Sequence, residues 1–312
     1  MRSNYPQFLQ EITPSILLHK SHLRTLIALG CASWLGIALL GCGSSGNSLG
    51  GVVAGTANPQ VASYTVQTDS EATVTIAFGK TTAYGLETAA RFAPAAGTVS
   101  MYVAGMQANT LYHMQATVQY ADGRVVTDVD HTFTTGAYNP EAYPAVSAAT
   151  MAGQTPQAGI EMLNAPAAAM GIYAVDLSGN VIWGYDPGDI GGSDWYAPKL
   201  LLNGDFIALA STGSSQSLTV PYLPTNANLV REFDLAGNTI RQITMDQLNY
   251  ELAAKGYNLQ LLVFSHDVTV LPDGHWLVLA TLEKSVVLNG ATTPTNVLGD
   301  AIVDLDANLQ PV

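Results

Sequence analysis

The chain has 312 residues, which is enough for more than one domain and a sizeable core, and its formal net charge is −13. An acidic balance of this size repels nucleic acid and argues against a basic protein that binds a membrane surface through its charges. Only 11% of the residues are charged and 29 are glycine, which is typical of turn-rich β structure.

The N-terminus has the pattern of a bacterial lipoprotein leader. Basic residues precede an apolar run from Leu26 to Leu40, which is shorter than a membrane-spanning helix. The run ends in Leu39-Leu40-Gly41-Cys42, which resembles the lipobox where a signal peptidase cuts before an acylated cysteine. We therefore predict a signal peptide over residues 1–41, then a lipidated Cys42 and a flexible tether over residues 42–56. The alternative is an ordinary leader with an incidental cysteine.

The two cysteines also bear on the compartment. Cys31 leaves with the leader and Cys42 would be lipidated, so the mature protein would have no free thiol, disulfide or cysteine metal site. This is compatible with the periplasm. Gly43 gives no signal for retention at the inner membrane, as an aspartate would. We expect a protein of the cell envelope, anchored by lipid on the periplasmic side of the outer membrane.

Residues 57–136 are predicted to form a compact, strand-rich domain. Apolar alternation between glycine-rich turns predicts these strands: Val61–Val66, Ala72–Phe78, Val99–Val103, Leu111–Tyr120 and Val125–Thr135. The stretch Met106–Met114 resembles the tyrosine corner of fibronectin type III domains, with Tyr112 as the corner residue. We therefore predict a fibronectin type III or immunoglobulin-like sandwich. His113 and His131 are interpreted as half-exposed strand positions without a catalytic role.

Residues 137–157 are rich in proline and alanine and are predicted to be a linker that leads into a strand near Ala158–Met162. Two kinds of hairpin turn then alternate. One kind is Asp-x-x-Gly-Asn, found at Asp176–Asn180 and Asp234–Asn238 and, in altered form, at Asp304–Asn308; the other kind contains Gly204 and Gly274. Each repeat therefore holds about four short strands, which is the pattern of propeller blades, and we predict a partial β-propeller over residues 158–312.

One helix interrupts the predicted strands. Thr244-Met245-Asp246-Gln247 is a capping box, and Met245, Leu248 and Leu252 would share one helical face before Gly256 ends the helix. We expect this helix to pack against one end of the propeller. A role in shaping a substrate entrance is the alternative.

The most informative stretch runs from Phe264 to Glu283, where two strands flank Pro272-Asp273-Gly274. Ser265-His266-Asp267 is polar in apolar surroundings and lies at the mouth of this hairpin, where His266 can face a shared cavity; a structural histidine is the alternative. The corresponding position of the preceding repeat is Asp194–Lys199, which has no histidine. Its Tyr196 could line the same funnel or pack in its wall. His275, in the turn, is interpreted as a surface residue.

The stretch from His266 to His275, together with the Asp-x-x-Gly-Asn hairpins and the preceding sandwich, resembles the bacterial arylsulfotransferase (aryl-sulfate sulfotransferase) family. The resemblance implies an all-β protein with a six-bladed propeller, of which this chain would contain about three blades. It also implies transfer of a sulfuryl group from a phenolic sulfate ester to a phenol through a sulfohistidine, without a cofactor or metal and independently of PAPS.

The resemblance also implies roles for individual residues. His266 matches a histidine that contacts the sulfuryl or phenolic oxygen and is not the nucleophile. Tyr196 is a further candidate for substrate contact. The nucleophilic histidine, an arginine and a His-x-Asn pair are expected after Val312, so the chain as given is expected to be incomplete and inactive.

Two other functions are compatible with the repeats. A quinone-dependent dehydrogenase would repeat Asp-x-x-Gly-x-x-x-Trp in most blades, and here only Asp176, Gly179 and Trp183 fit that pattern. A non-catalytic, lipid-anchored binding or scaffold propeller is the alternative of another class, and it would have no histidines that converge in the funnel.

Overall fold

A computed structural model describes residues 49–164, 171–189, 194–211, 228–257 and 259–312, all within one compact unit. These residues are mostly β, with several antiparallel sheets and one short helix. The predicted signal peptide, Cys42 and the first part of the predicted tether lie outside the described residues. In the described part of the chain, no helix has the length and apolarity needed to cross a membrane.

Two sheets make up the N-terminal part. Their strands are β1 (Val52–Gly55), β2 (Ala62–Thr68), β3 (Ala72–Gly79), β4 (Leu86–Glu87), β5 (Arg91–Ala93), β6 (Gly97–Val103), β7 (Leu111–Tyr120), β8 (Val125–Thr127) and β9 (His131–Thr134). One sheet has the order β1-β2-β6 and the other β4-β3-β7-β8, with β5 paired to β3 and β9 to β7. Buried and less buried residues alternate along β2, β3 and β7, and the buried ones form one core shared by both sheets.

The N-terminal boundaries differ from the prediction in two places. Residues 52–55, predicted as part of a flexible tether, form β1 and pair with β2, and Leu49 is buried in the core. The predicted strand Val125–Thr135 is two strands because the chain turns inward at Asp128, whose buried carboxylate accepts a hydrogen bond from the Tyr64 hydroxyl. An alternation pattern cannot reveal such an interruption.

Tyr112 makes the contact expected of a tyrosine corner. Its hydroxyl accepts a hydrogen bond of 3.0 Å from the backbone N–H of Gln107, five residues upstream. His113 and His131 are half-buried strand residues, as predicted, and they pair with Asp130 and Asp128.

The C-terminal part contains three further sheets. Their strands are β10 (Ile160–Asn164), β11 (Ile172–Asp176), β12 (Val181–Tyr185), β13 (Asp194–Leu200), β14 (Phe206–Ser211), β15 (Leu229–Phe233), β16 (Thr239–Thr244), β17 (Leu261–Val270), β18 (Trp276–Val286) and β19 (Thr295–Leu305). The sheets are β10-β11-β12, β13-β14-β15-β16 and β17-β18-β19, so each follows the order of the chain. The first strands of successive sheets are in contact: β13 touches both β10 and β17.

The Asp-x-x-Gly-Asn turns have the expected geometry at the first two sites. The side chain of Asp176 accepts from the backbone N–H of Asn180, and that of Asp234 accepts from the N–H of Asn238. The third turn begins at Asp306, not at Asp304 as predicted, because Asp306 accepts from the N–H of Gln310. Leu309 has a φ of 62° there, in place of the glycine that marks the other two turns, so the sequence pattern pointed to the wrong aspartate.

The helix forms where the capping box and the apolar spacing predict it. It spans Met245–Ala254 (α1), the Thr244 hydroxyl accepts from the N–H of Gln247, and Met245, Leu248 and Leu252 are buried. The chain leaves the helix at Gly256, which has a φ of 84°. The buried face packs against the core of the β17 sheet.

Side chains join neighbouring sheets. Trp183 of β12 stacks on Phe206 of β14 with ring centroids 5.0 Å apart and donates to the carbonyl of Leu235. Arg241 of β16 pairs with the buried Glu232 and lies 4.7 Å above the Trp276 ring of the next sheet. The N-terminal part is attached in the same way, because the Tyr102 hydroxyl of β6 donates to Asp234 over 3.0 Å.

The turn aspartates should therefore differ in their contributions to stability. Asp234→Ala removes hydrogen bonds from Asn238 and the bond from Tyr102, whereas Asp306→Ala removes only bonds within its own turn. We expect Asp234→Ala to lower the free energy of unfolding by about 1–2 kcal/mol more than Asp306→Ala does. Chemical denaturation of the two variants would measure the difference, and equal losses would contradict the role of Asp234 as a link between sheets.

Candidate functional site

His266 lies in a bulge of β17. Phe264 pairs with Ala280 and Val268 with Val278, so Ser265, His266 and Asp267 together lie opposite the single residue Leu279. His266 is exposed and has a φ of 59°, in the left-handed region that residues other than glycine rarely occupy. A bulge redirects the side chains that it carries, and left-handed residues of this kind are frequent at functional sites. The sequence placed His266 at the mouth of the hairpin; in the structure it lies where the hydrogen-bonded pairing of β17 and β18 is interrupted.

His266 also differs from the other described histidines in its contacts. His113, His131 and His275 each have a ring nitrogen within 3.1 Å of an aspartate oxygen, the partners being Asp130, Asp128 and Asp304. In the part of the chain that the structure describes, His266 is the histidine without a hydrogen bond or ion pair. Both of its ring nitrogens are therefore available to a ligand.

The preceding repeat also has a bulge in its first strand, β13. Tyr196 pairs with Leu209 and Lys199 with Ile207, which leaves Ala197 and Pro198 opposite one residue. Ala197 has a φ of 51°, so this bulge also contains a left-handed residue. Both strands therefore have a bulge that contains a left-handed residue, but the β13 bulge has two residues opposite one where the β17 bulge has three. Of the two bulges, only the one in β17 carries a histidine.

Two side chains of β13 reach across to the β17 bulge. The Tyr196 hydroxyl donates to the carbonyl of Phe264 over 2.6 Å, and the Lys199 Nζ donates to the carbonyl of Val268 over 2.8 Å. Lys199 is also 2.5 Å from a carboxylate oxygen of Asp267, which in turn accepts from the N–H of Val268. Burial raises the pKa of the Tyr196 phenol, so it stays a donor at neutral pH. Sequence reasoning missed Lys199, whose only signal was its place in the strand that aligns with the His266 segment.

The remainder of the same edge of β17 is bonded by asparagines. The buried Asn228 donates to the carbonyl of Leu262 and accepts from the N–H of Phe264. Asn249 of the helix both donates to the carbonyl of Leu261 and accepts from its N–H. These side chains replace the backbone ladder that a neighbouring strand would supply.

Tyr196 thus lies next to the His266 segment, and it contacts the backbone of that segment and not the histidine side chain. The hydroxyl is directed to the Phe264 carbonyl, and substrate contact by Tyr196 and by His266 stays a prediction. Beside His266, the Ser265 Oγ is buried and has no hydrogen-bond partner among the described residues.

In the same sheet, Arg231 of β15 forms a buried network. Its guanidinium donates to the Tyr185 hydroxyl, to Gln242 and to the Asp189 carboxylate, and it lies 5.2 Å above the ring of Trp195. The guanidinium is enclosed by these partners, so its role is to support the strand that carries Tyr196.

A cavity of about 770 Å³ lies elsewhere, between the N-terminal sheets and the sheets that carry Trp183 and Phe206. Its wall is mainly apolar and aromatic, and Lys80 at its rim already donates to Gln107. Its lining includes no histidine or cysteine from the described residues, so the group-transfer chemistry of a free imidazole belongs to the bulge and not to this cavity.

His275 shows how a paired histidine differs from His266. It is partly exposed, and a 2.9 Å hydrogen bond to Asp304 raises its pKa above the ordinary value. His275 is thus a partly exposed residue that the turn brings beside the last strand, where it pairs with Asp304.

The pH dependence of this pair follows from the raised pKa. Its contribution to stability is fully present below the ordinary histidine pKa of about 6.5 and is lost as the pH rises through the raised value. We expect Asp304→Asn to return the pKa of His275 towards the ordinary value, measured by NMR titration of the imidazole. An unchanged pKa in Asp304→Asn would contradict the assignment.

Comparison with known proteins completes the description of the site. A family model described as Arylsulfotransferase (ASST) matches residues 107–312, a range that begins at Gln107 and includes both bulges. No curated protein matches the chain.

Proposed function

The chain belongs to the arylsulfotransferase family, and we propose that it transfers a sulfuryl group from a phenolic sulfate ester to a phenol. The observation that carries the proposal is the free, exposed imidazole of His266, held in a left-handed bulge at the place where the resemblance puts a substrate-contacting histidine.

The proposed reaction has two displacements at sulfur. A histidine nitrogen attacks the sulfur of the donor, the bond between sulfur and the aryl oxygen breaks, and the electron pair leaves with the phenolate. The acceptor phenol then releases its proton to solvent, which balances the proton that the departed phenolate takes up. Its oxygen attacks the same sulfur, and the bond between nitrogen and sulfur breaks with its electron pair returning to the nitrogen. The resemblance assigns the nucleophilic attack to a histidine other than His266.

The role proposed for His266 is to donate a hydrogen bond to the phenolic or sulfuryl oxygen as negative charge develops there. An imidazole suits this role because its pKa lets it donate or accept near neutral pH. Donors placed where charge develops lower the barrier more than they improve substrate binding. A preorganised backbone at His266 would support that effect, because the donor would not have to be repositioned during the reaction.

We propose the finer architecture on the same basis. The two N-terminal sheets with their shared core would form the fibronectin type III-like sandwich of residues 57–136, extended by β1. The three successive antiparallel sheets of residues 158–312, whose first strands are neighbours, would be blades of a six-bladed propeller. The order of these two parts is the one that the family resemblance implies.

His266→Ala should slow sulfate transfer by about a hundredfold or more, because it removes a donor to developing charge. The free energy of unfolding should change by no more than about 0.5 kcal/mol, since the side chain is exposed and unbonded. The assay is phenol-stimulated release of the chromophore from a chromogenic aryl sulfate by the full-length protein.

His275→Ala is the matched control, because that histidine lies at the other end of the same hairpin and should leave transfer nearly unchanged. Absence of phenol-stimulated release from the wild-type protein over a range of pH would reject the transferase function in favour of a binding propeller. Full activity in His266→Ala would reject the role of that residue alone.

We also propose that the mature protein is attached to the outer membrane on its periplasmic side through lipidated Cys42. Cys42→Ser should abolish fatty-acid labelling and move the protein from the membrane fraction to the soluble fraction. Cys31→Ser is the matched control, because the leader that contains it would be removed. Equal labelling of both variants would contradict the lipobox assignment.

A further inference from the structure

The bulge that carries His266 is bounded by two backbone carbonyls, and a side chain of β13 donates to each. Tyr196 bonds the carbonyl of Phe264, immediately before the bulge, and Lys199 bonds that of Val268, immediately after it. Tyr196 and Lys199 themselves flank the bulge of β13, so one bulge is attached to the other at both ends.

We propose that Tyr196 and Lys199 are positioning residues, which hold the backbone of His266 in its left-handed conformation and so aim its imidazole at the substrate. The inference rests on the proposed function for its effect on catalysis. A left-handed conformation is unfavourable for a residue with a Cβ and persists only where the surroundings enforce it. Ser265, His266 and Asp267 have no cross-strand partners of their own in the ladder, so the two carbonyl contacts provide that enforcement.

The aspartate that follows His266 has a place in the same arrangement. Asp267 accepts from the N–H of Val268 and pairs with the ammonium group of Lys199, and it has no hydrogen bond or ion pair with the His266 ring. The carboxylate therefore orients Lys199 towards the strand, while the histidine faces outwards. In this dipeptide, His266 is free to contact a ligand, and Asp267 helps to hold the neighbouring strand in place.

The two contacts differ in environment. The carbonyl of Phe264 belongs to a fully buried residue and accepts from the phenol of the partly buried Tyr196, so Tyr196→Phe leaves an unpartnered acceptor without changing the ring that packs there. The side chain of Lys199 is 40% exposed, so Lys199→Met disturbs the packing little. The two substitutions thus test the same arrangement: Tyr196→Phe removes the donor to a buried carbonyl, and Lys199→Met removes a partly exposed donor.

The first test is kinetic and uses the full-length protein. We expect Tyr196→Phe and Lys199→Met each to lower kcat by about tenfold to a hundredfold, with little change in KM, because a small misplacement of the donor weakens it in the transition state. Lys199→Arg, which retains a donor and a positive charge, should recover part of the loss. Tyr102→Phe is the matched control, since it also removes one hydroxyl donor, to Asp234, away from the bulge.

The deciding variant is the double substitution Tyr196→Phe with His266→Ala. A residue that acts through His266 has no further effect once that imidazole is gone, so the double variant should equal His266→Ala within about twofold. If Tyr196→Phe lowers kcat by the same factor with and without His266, its role is general and the proposal is overturned.

The second test does not depend on turnover. Hydrogen exchange of a peptide that spans 264–268 should be faster in Tyr196→Phe and in Lys199→Met than in the wild type, and unchanged in Tyr102→Phe. Unchanged exchange in both bulge variants would overturn the proposal. If the wild type transfers no sulfate, the proposed function fails, and the exchange result alone then decides whether these residues hold the bulge.

Discussion

The C-terminal architecture depends on one constraint: the first strands of adjacent sheets lie side by side without a backbone ladder between them. Their outward N–H and C=O groups are nevertheless obligatory hydrogen-bonding groups. The chain satisfies them with side chains: Asn164 bonds the carbonyl of Trp195, and the edge of β17 is bonded by Tyr196, Lys199, Asn228 and Asn249. Polar residues at these edges therefore determine how one sheet is placed on the next.

Side-chain hydrogen bonds also attach the N-terminal part to the C-terminal sheets. Asn58 donates to the carbonyl of Gly184, Tyr102 donates to Asp234, and Gln107 donates to Asp176. Asp176 and Asp234 thus close a hairpin turn and also bind the preceding sheets. Asp306 closes the corresponding turn of the β17 sheet, and its described hydrogen bonds stay within that turn. The N-terminal sheets are therefore attached to the first two repeats through the turns that define those repeats.

Much of the fold could be predicted because it depends on local chemistry. The turn glycines, the capping box at Thr244 and the corner tyrosine Tyr112 each require a particular residue at a particular position. The predictions that failed depend on tertiary contacts. Leu309, which is buried in the core of the β17 sheet, adopts a conformation normally marked by glycine; Asp128 turns inward to meet Tyr64; and the chain before Asn58 pairs as β1.

The candidate site shows the same division between local and tertiary signals. His266 could be identified as unusual because it is polar among apolar neighbours. The importance of Lys199 could not, because its partners are a carbonyl and a carboxylate almost 70 residues away in the chain. A lysine in a strand near a proline carries no pattern that distinguishes such a contact from an exposed position.

The repeated bulge has an evolutionary consequence. β13 and β17 each have a break in the ladder with a left-handed residue, and the break in β13 is formed by Ala197 and Pro198, so a break of this kind does not require a histidine. The residue at the break can therefore change its chemistry while the register of the flanking strands stays the same. A scaffold of this kind can acquire or lose a reactive side chain at a bulge by a single substitution, with little penalty in folding.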